Sequence, residues 1–226
     1  MIKAVLFDCD GVLLDTEPMG CECLAQAVTE AGHPMTCAEA TRLFSGNAAV
    51  ASKAVMEHLG LQAEAVFARS DEILFEGFAR HVPMIPGIEA LLEQLPLMRA
   101  VCSNSTRRRL ALSLGRTRIA GSFGQHVYSS DNVEMPKPAP DMALLACKAL
   151  GIAPAEALFI DDNIHGMICA KRAGCLAVGF IGPSDHRPQH ADTLRAAGAD
   201  HVVTGMAELQ ALISTLTSET FVNGTL

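Results

Sequence analysis

The 226-residue sequence is poor in basic residues. It carries 17 Lys and Arg against 25 Asp and Glu, which leaves a formal net charge of −8. Proteins that bind nucleic acid usually present a basic surface, so this deficit argues against a DNA or RNA partner. It does not argue against a small anionic substrate, because the charge around one site can differ from the net charge.

Other absences exclude further classes of protein. No segment approaches the roughly 20 apolar residues that a membrane-spanning helix needs. Neither G-x-G-x-x-G nor G-x-x-x-x-G-K-[ST] occurs, which disfavours nucleotide-binding modules. The first apolar run is short and ends at Asp8, so it does not predict a signal peptide. The eight cysteines are scattered, and we expect reduced thiols in the cytoplasm and no membrane partner.

Short apolar runs alternate with helical patterns over most of the chain. The runs that predict buried strands are Ile2–Phe7, Leu97–Cys102, His126–Tyr128, Ala157–Ile160, Cys175–Ile181 and His201–Val203. The segments that predict helices are Gly87–Leu95, Arg107–Leu114, Ala139–Leu150, Ile164–Ala173 and Met206–Leu216. This alternation predicts an α/β fold, a Rossmann-like doubly wound parallel sheet with helices on both faces.

One region near the start of the chain departs from the alternation and shows one helical pattern after another. Thr36 and Glu39 in this region have the spacing of a capping box. We therefore expect a helical domain inserted into the α/β domain, followed at the end of the chain by a polar, flexible tail. The predicted boundaries are 1–14 and 85–216 for the α/β core, 15–84 for the helical insert and 217–226 for the tail.

Polar side chains follow four of the predicted strands. They are Asp8 and Asp10, then Ser103 and Asn104, then Lys137, and last Asp161 and Asp162. Ligands of an open parallel sheet bind at the carboxyl ends of its strands, so these residues are expected to meet at one edge. Four carboxylates in one cleft need a cation, and an all-oxygen site favours magnesium or calcium over zinc. The hydroxyls, the lysine and backbone N–H groups suit a phosphate.

Four short motifs then carry a resemblance to a known family. The sequence Asp8-Cys9-Asp10-Gly11-Val12, the pair Ser103-Asn104, the stretch KPAPD from Lys137 and the group Asp161-Asp162-Asn163 with Gly166 occur in this order. Together they resemble the motifs of the haloacid dehalogenase superfamily, in its capped branch with phosphatases and β-phosphoglucomutases. The resemblance spans nearly the whole chain and implies that the helical insert is a cap domain.

The resemblance implies a role for each motif. Asp8 would be the nucleophile that forms a phosphoaspartate, Asp10 the general acid and base, and Lys137 the bridge between nucleophile and phosphate. The residues implied to bind phosphate are Gly11, Ser103 and Asn104, the last through its backbone. The residues implied to bind Mg²⁺ are Asp8, Asp10 through its main-chain carbonyl, Asp161 and Asp162. In the cap, Glu17 and Asn47 are candidates for contacting the substrate.

The expected substrate is a small phosphorylated metabolite, a sugar phosphate or a sugar-acid phosphate, and the expected assembly is a monomer or a small homo-oligomer. Because Asp10 is present, phosphoryl transfer is favoured over carbon–halogen cleavage. A β-phosphoglucomutase-like activity is the alternative, although Gly20 and Ala49 stand where such mutases carry a histidine and an arginine. A signalling receiver domain is disfavoured by the insert and by Asp10.

Two further features are interpreted without a catalytic role. The run Arg107-Arg108-Arg109 is taken as a solvated helix face. Asp185, His186 and His190 have a spacing that would suit a metal on a helix, but Pro188 lies between the histidines and favours an exposed loop. A contact between this loop and the substrate is left open.

Overall fold

The structure of the protein, a computed structural model, describes residues 1–44 and 49–218. The chain divides into two compact units, one formed by Met1–Asp15 with the chain from Met84 onward, and one formed by Thr16–Pro83. The expected flexible tail, apart from its first two residues, lies outside the described residues. Within the described ranges, no helix combines the length and the apolar character needed to cross a bilayer.

The unit Thr16–Pro83 shows four α-helices in its described residues, 16–44 and 49–83. They are α1 (Glu17–Glu30), α2 (Cys37–Phe44), α3 (Ala49–His58) and α4 (Ala63–Arg80). The expected capping box starts α2, because the Thr36 N–H donates to Glu39 Oε2 at 2.8 Å and the Glu39 N–H donates to Thr36 Oγ1 at 3.3 Å. An apolar core that includes Val28, Ala40 and Met56 joins the helices. The prediction of consecutive helices in this region is therefore confirmed.

The other unit, as far as the structure describes it, is built on six parallel strands. They are β1 (Ala4–Phe7), β2 (Met98–Cys102), β3 (Val127–Tyr128), β4 (Ala157–Asp161), β5 (Leu176–Ile181) and β6 (His201–Thr204). Their order in the sheet is β3-β2-β1-β4-β5-β6. Every neighbouring pair is parallel, which confirms the predicted sheet. Strands β1 and β4 are buried at every position, as expected for strands covered on both faces.

Up to residue 218, where the described chain ends, six α-helices accompany this sheet. They are α5 (Ile88–Gln94), α6 (Arg107–Leu112), α7 (Asp141–Leu150), α8 (Ile164–Ala173), α9 (His190–Ala196) and α10 (Gly205–Ser218). Side chains of α7 and α8 form one core with Leu6, Ala100 and Phe159 from the central strands. Burying one large apolar side chain such as Leu6 or Phe159 stabilises a fold by about 1.5–3 kcal/mol.

Helix α9 was missed by the sequence analysis, which assigned its first residue to an exposed loop. Pro188 disfavours a helix in the residues that precede it but not in those that follow, and α9 begins two residues later at His190. Leu194, on this helix, is fully buried in the core that α7 and α8 share. The segment is therefore held in place by packing, which local sequence signals did not reveal.

The chain order of the strands sets the position of the functional site. From β1 the chain proceeds to β2 on one side, and it later returns to β4 on the other side of β1. Such a reversal of direction opens a crevice at the carboxyl ends of the central strands. Strands β1, β2 and β4 all end at this crevice, and three of the four recognised motifs lie at or directly after these strand ends.

Candidate active site

Asp8 is the first residue after β1 and lies at the centre of the crevice. Its backbone N–H still donates to Ile160 O at 2.8 Å, so the residue is anchored to β4 as well as to its own strand. The chain then turns sharply, with the N–H groups of Leu13 and Leu14 both donating to Cys9 O at 2.9 Å. The residue is only 8 % exposed, which leaves its carboxylate largely removed from water.

Lys137 joins two of the buried carboxylates. Its Nζ donates to Asp8 Oδ1 at 2.8 Å and to Asp161 Oδ2 at 2.7 Å. The lysine itself is 7 % exposed, and its Nζ lies 5.8 Å from the centre of the Phe159 ring. In such a buried group, loss of one charged partner leaves the others uncompensated, at a cost of about 3–5 kcal/mol. The geometry therefore ties the first, third and fourth motifs into one unit.

Asn104 holds the backbone on which Lys137 is carried. Its Nδ2 donates to Lys137 O and its Oδ1 accepts from the Lys137 N–H, both at 2.9 Å. The adjoining Ser103 is buried, and its Oγ accepts from the Ser105 N–H at 3.1 Å. The sequence analysis assigned the Asn104 backbone to a phosphate; the side-chain contacts were not foreseen, because the two residues are 33 positions apart.

Asp161 is the last residue of β4 and Asp162 follows it, and each packs against a glycine. A Cβ at Gly166 would lie 1.9 Å from Asp161 Cγ, and one at Gly11 would lie 2.6 Å from Asp162 Cγ. Gly11 also has a φ of +81°, in the left-handed region that disfavours other residues. The glycines of the first and fourth motifs are therefore needed for the close approach of these carboxylates.

Asp10 lies at the rim of the crevice, with its side chain 17 % exposed. The Ser105 hydroxyl donates to Asp10 Oδ2 at 2.8 Å, and Arg109 Nη2 lies 3.5 Å from Asp10 Oδ1. The interpretation of the arginine run as a solvated face is therefore wrong for Arg109. Its side chain is 27 % exposed and reaches Asp10 from α6. Nothing in the sequence of three consecutive arginines indicated that Arg109 would point toward the crevice.

The electrostatic balance of the site follows from burial and proximity. Burial raises the pKa of Asp8 to about 7, with Asp161 and Asp10 adding to the rise and Lys137 opposing it. Burial likewise raises the pKa of Asp161, and the nearby charge of Asp162 adds to that rise. Burial lowers the pKa of Lys137, but the charges of Asp161 and Asp8 outweigh it, so the net pKa lies above the usual value. Lys137 therefore stays protonated, whereas Asp8 and Asp161 bind a proton more readily than ordinary carboxylates do.

A second group of side chains contacts Asp162 from the segment after β5. Arg187 Nη2 donates to Asp162 Oδ2 at 2.8 Å and to Asp162 O at 3.1 Å. His190 Nε2 lies 2.7 Å from the same carbonyl oxygen, and His190 is buried. The prediction of an exposed loop is therefore wrong for Asp185 and His190, whose side chains are 7 % and 8 % exposed, although His186 is exposed as expected.

The two candidate substrate residues of the helical insert have different outcomes. Glu17 is exposed at the first position of α1. Asn47 lies outside the described residues, as does the whole segment 45–48 between α2 and α3. Their assignment to substrate contacts stays a prediction.

The carboxylates of the crevice fit a divalent cation. Asp8, Asp161 and Asp162 each offer one oxygen, and these three atoms lie within 4.8 Å of one another. All three residues are buried, and the donor atoms are all oxygen, which is the donor set that Mg²⁺ prefers. Asp10, the fourth residue predicted to bind the metal, was predicted to do so through its main-chain carbonyl, so its side-chain contacts do not bear on that prediction.

Comparisons with known proteins agree with this geometry. Residues 5–180 match the model of the haloacid dehalogenase-like hydrolase family. The N-acetylmuramic acid 6-phosphate phosphatase of Pseudomonas aeruginosa is 31 % identical over 92 % of this chain and 93 % of its own length. The 6-phosphogluconate phosphatase of Escherichia coli is 25 % identical over 83 % of this chain and 86 % of its own length.

A solved structure is similar along almost the whole chain. It is a conserved haloacid dehalogenase-like protein of unknown function, ATU0790, from Agrobacterium tumefaciens. Its TM-score is 0.85 at 32 % sequence identity, over 96 % of this chain and 100 % of the other. The similarity therefore extends across both units and all four motifs.

Proposed function

We propose that this protein removes phosphate from a sugar-acid phosphate through a phosphoaspartate on Asp8, with the help of Mg²⁺. The chain belongs to the haloacid dehalogenase-like hydrolase family and is a phosphoric monoester hydrolase. The observation that carries the proposal is the bridge from Lys137 to Asp8 and Asp161. The bridge places a fixed positive charge beside the buried carboxylate of Asp8. Asp8 Oδ1 accepts the hydrogen bond from Lys137, and Asp8 Oδ2 is proposed as the atom that attacks phosphorus.

The chemistry proposed for Asp8 is nucleophilic substitution at phosphorus. Asp8 forms a bond to phosphorus while the bond from phosphorus to the leaving oxygen breaks, and water later cleaves the phosphoaspartate. Lys137 neutralises negative charge as it spreads over the phosphoryl oxygens, and the Ser103 hydroxyl and the Asn104 N–H bind those oxygens. The buried position of Asp8 supports this role, because exclusion of water strengthens each of these interactions.

Asp10 is proposed as the general acid and base. It gives a proton to the leaving alcohol and then takes one from the attacking water. Its location at the rim, beside Ser105 and Arg109, supports this assignment because it lies next to Asp8 in the turn after β1 without being buried with it.

Magnesium is proposed to bind at Asp8, Asp161 and Asp162, with the main-chain carbonyl of Asp10. When bound, it would offset the mutual repulsion of these carboxylates and the negative charge of the phosphate. The residues themselves orient the phosphate and move the protons. The buried oxygen-only donor set supports the choice of a hard cation.

A sugar acid is proposed as the leaving group. Two relatives are named for the phosphates of acids, N-acetylmuramic acid 6-phosphate and 6-phosphogluconate. The α/β core is proposed to carry out the chemistry. Selection of the leaving group is assigned to the helical insert as the cap, with Glu17 and Asn47 as the first residues to change. The eight cysteines are all free, which supports a reducing cytoplasm as the location.

The test is phosphate release from matched substrates. Gluconate 6-phosphate and glucitol 6-phosphate are both open chains that differ only in carrying a carboxylate or a hydroxymethyl group at C1, so their kcat/KM ratio measures the preference for an acid. Each would be assayed with Mg²⁺ and with a chelator. We expect release from the acid in the presence of Mg²⁺ and none with the chelator. Equal kcat/KM values would contradict the sugar-acid assignment, and release with the chelator would contradict the metal requirement.

The nucleophile is tested with the Asp8→Asn variant and substrate labelled in its phosphate. We expect acid-quenched wild-type protein to retain label and the variant to retain none. Asp71→Asn is the matched control, since Asp71 is an exposed carboxylate on α4. A variant that keeps full turnover would contradict the role of Asp8. Turnover that needs an added sugar bisphosphate and releases no phosphate would instead favour the mutase alternative.

A further inference from the structure

Arg187 is bound to Asp162 through both side chain and backbone. Its Nη2 reaches Oδ2 and the carbonyl oxygen of Asp162, at 2.8 Å and 3.1 Å. Asp162 also packs against Gly11, where no Cβ would fit. The Asp162 carboxylate is thus in close contact with both a glycine and a guanidinium.

Arg187 is itself held by Asp185. Arg187 Nε donates to Asp185 Oδ1 at 2.9 Å, and Arg187 Nη2 donates to Asp185 Oδ2 at 2.8 Å. The Arg187 N–H also donates to Asp185 Oδ1, at 3.0 Å. These contacts leave the guanidinium little freedom to turn away from Asp162. The negative charge of Asp185 also offsets positive charge that Arg187 would otherwise direct at the crevice.

His190 completes the contacts from this segment. Its Nε2 lies 2.7 Å from Asp162 O and 3.5 Å from Asp185 Oδ2. The start of α9 is therefore attached to the same backbone carbonyl that Arg187 contacts. Two side chains on one short segment converge on one residue of the fourth motif. An ordinary surface ion pair does not show this arrangement.

We infer that Arg187, held by Asp185, is a positioning residue that orients the Asp162 carboxylate for Mg²⁺. This inference rests on the proposed function, in which Asp162 is a metal ligand. Partners that orient a metal ligand from outside typically contribute 10–100-fold to metal affinity. Because Asp185 offsets its charge, Arg187 acts here by orientation more than by repulsion of the cation.

Arg187 would have the opposite effect on Mg²⁺ affinity if it competed with the cation, so the direction of the change in affinity is the test. A guanidinium paired with Asp162 could compete with Mg²⁺ for that carboxylate, and its removal would then strengthen Mg²⁺ binding. If Arg187 only fastens α9 to the sheet, its removal would lower the stability of the protein but leave Mg²⁺ affinity unchanged. The three alternatives therefore differ in the direction of one measured constant.

The measurement is the Mg²⁺ dissociation constant by calorimetric titration of metal-free protein without substrate. The variants are Arg187→Met, Arg187→Lys and Asp185→Asn, and the matched control is Arg195→Met. Arg195 lies on α9 and pairs with Asp192 at 2.9 Å, away from the crevice. We expect Mg²⁺ binding about 10–100-fold weaker for Arg187→Met, a smaller loss for Arg187→Lys and Asp185→Asn, and no change for Arg195→Met.

Circular dichroism of each metal-free variant shows whether it is folded. If Arg187→Met does not fold, the decision passes to Arg187→Lys and Asp185→Asn. Unchanged or tighter Mg²⁺ binding in the folded Arg187 variants would overturn the inference while leaving the proposed function intact. Wild-type protein that binds no Mg²⁺ would overturn the inference together with the metal requirement of the proposed function.

Discussion

The side chain of Asn104 closes a pair of hydrogen bonds around the backbone of Lys137, one to its N–H and one to its carbonyl oxygen. The segment after β2 thereby fixes the backbone of Lys137, whose amino group joins Asp8 to Asp161. We expect Asn104→Ala to lower kcat about 10-fold, because Lys137 loses the anchor that aims it, and to lower stability by about 1–3 kcal/mol, the combined contribution of two hydrogen bonds. Steady-state kinetics and chemical denaturation measure the two effects.

The matched control for this change is Asn132→Ala. Asn132 Oδ1 accepts from the Ser129 N–H at 2.9 Å and from the Ser129 hydroxyl at 2.8 Å, so two hydrogen bonds are again removed. We expect a similar loss of stability with kcat unchanged. An equal loss of kcat in both variants would show that Asn104 matters only through general stability.

Asp10 should be tested by the size of its effect on rate. We expect Asp10→Asn to lower kcat by about 10²–10⁴, the usual contribution of general acid–base catalysis. Ser105→Ala should lower kcat less, because it removes one hydrogen bond that orients Asp10 and leaves the carboxylate in place. Substrates with better leaving groups check the assignment, since they need less protonation. If the loss of kcat in Asp10→Asn is the same for good and poor leaving groups, Asp10 does not act as the general acid.

The close approach of Gly166 to Asp161 predicts a steric effect. In Gly166→Ala the new Cβ would start 1.9 Å from Asp161 Cγ, so that either the carboxylate or α8 must shift. We expect a loss of about 1–3 kcal/mol in stability and weaker Mg²⁺ binding. Thermal unfolding and Mg²⁺ titration measure these.

Gly20→Ala is the control for the glycine change. A Cβ at Gly20, on α1, would meet no atom within 4 Å, and its φ is not positive. We expect a gain of up to about 1 kcal/mol, because alanine favours a helix over glycine. If both substitutions destabilised the protein equally, steric contact with Asp161 would not be the cause.

Asp200 predicts a dependence of stability on pH at a distance from the crevice. Burial raises the pKa of Asp200, but the hydrogen bonds from Lys171 and from the Ala177 N–H lower it by more, so the net pKa lies below its usual value. The unfolded chain then binds more protons than the folded one. Stability from this group is therefore present above the unfolded pKa of about 3.9 and is lost as pH falls through the folded pKa.

The measurement compares wild type with Asp200→Asn from pH 7 to pH 2 by denaturant unfolding. We expect the variant to be less stable by about 1 kcal/mol at pH 7, since solvent screens the contact with Lys171, and the difference to disappear at the acid end. A difference that persists at low pH would show that Asp200 contributes through packing instead of charge.

Local sequence was enough to predict the sheet and the four motifs. Strands β1 and β4 are continuous apolar runs because both faces are covered, and each ends at acidic residues that cannot remain in such a run. Helix α8 was predicted with its observed bounds, since Asn163 caps its start and Gly174 ends it with a positive φ. Caps and apolar runs are local features, so a single sequence contains them.

Other features depend on side chains that are far apart in the chain. The Ser105 hydroxyl reaches Asp10 across 95 positions, and Arg187 reaches Asp162 across 25. Neither contact leaves a period or a cap in the sequence, and Pro188 suggested an exposed segment where Asp185 and His190 are buried. The tertiary fold decides these contacts, because it brings the ends of separate parallel strands to one edge of the sheet and forces neighbouring charges there to find partners.

The sequence by itself therefore determined the type of fold, the helical insert and the identity of the carboxylates and lysine at the crevice, because these follow from local periodicity and from which residues end each strand. Only the tertiary structure decided which cation pairs with which carboxylate. Lys137 is placed between Asp8 and Asp161, Arg109 beside Asp10, and Arg187 against Asp162. Pairing of this kind depends on distances of a few ångströms between groups, and only packing of the whole unit sets those distances.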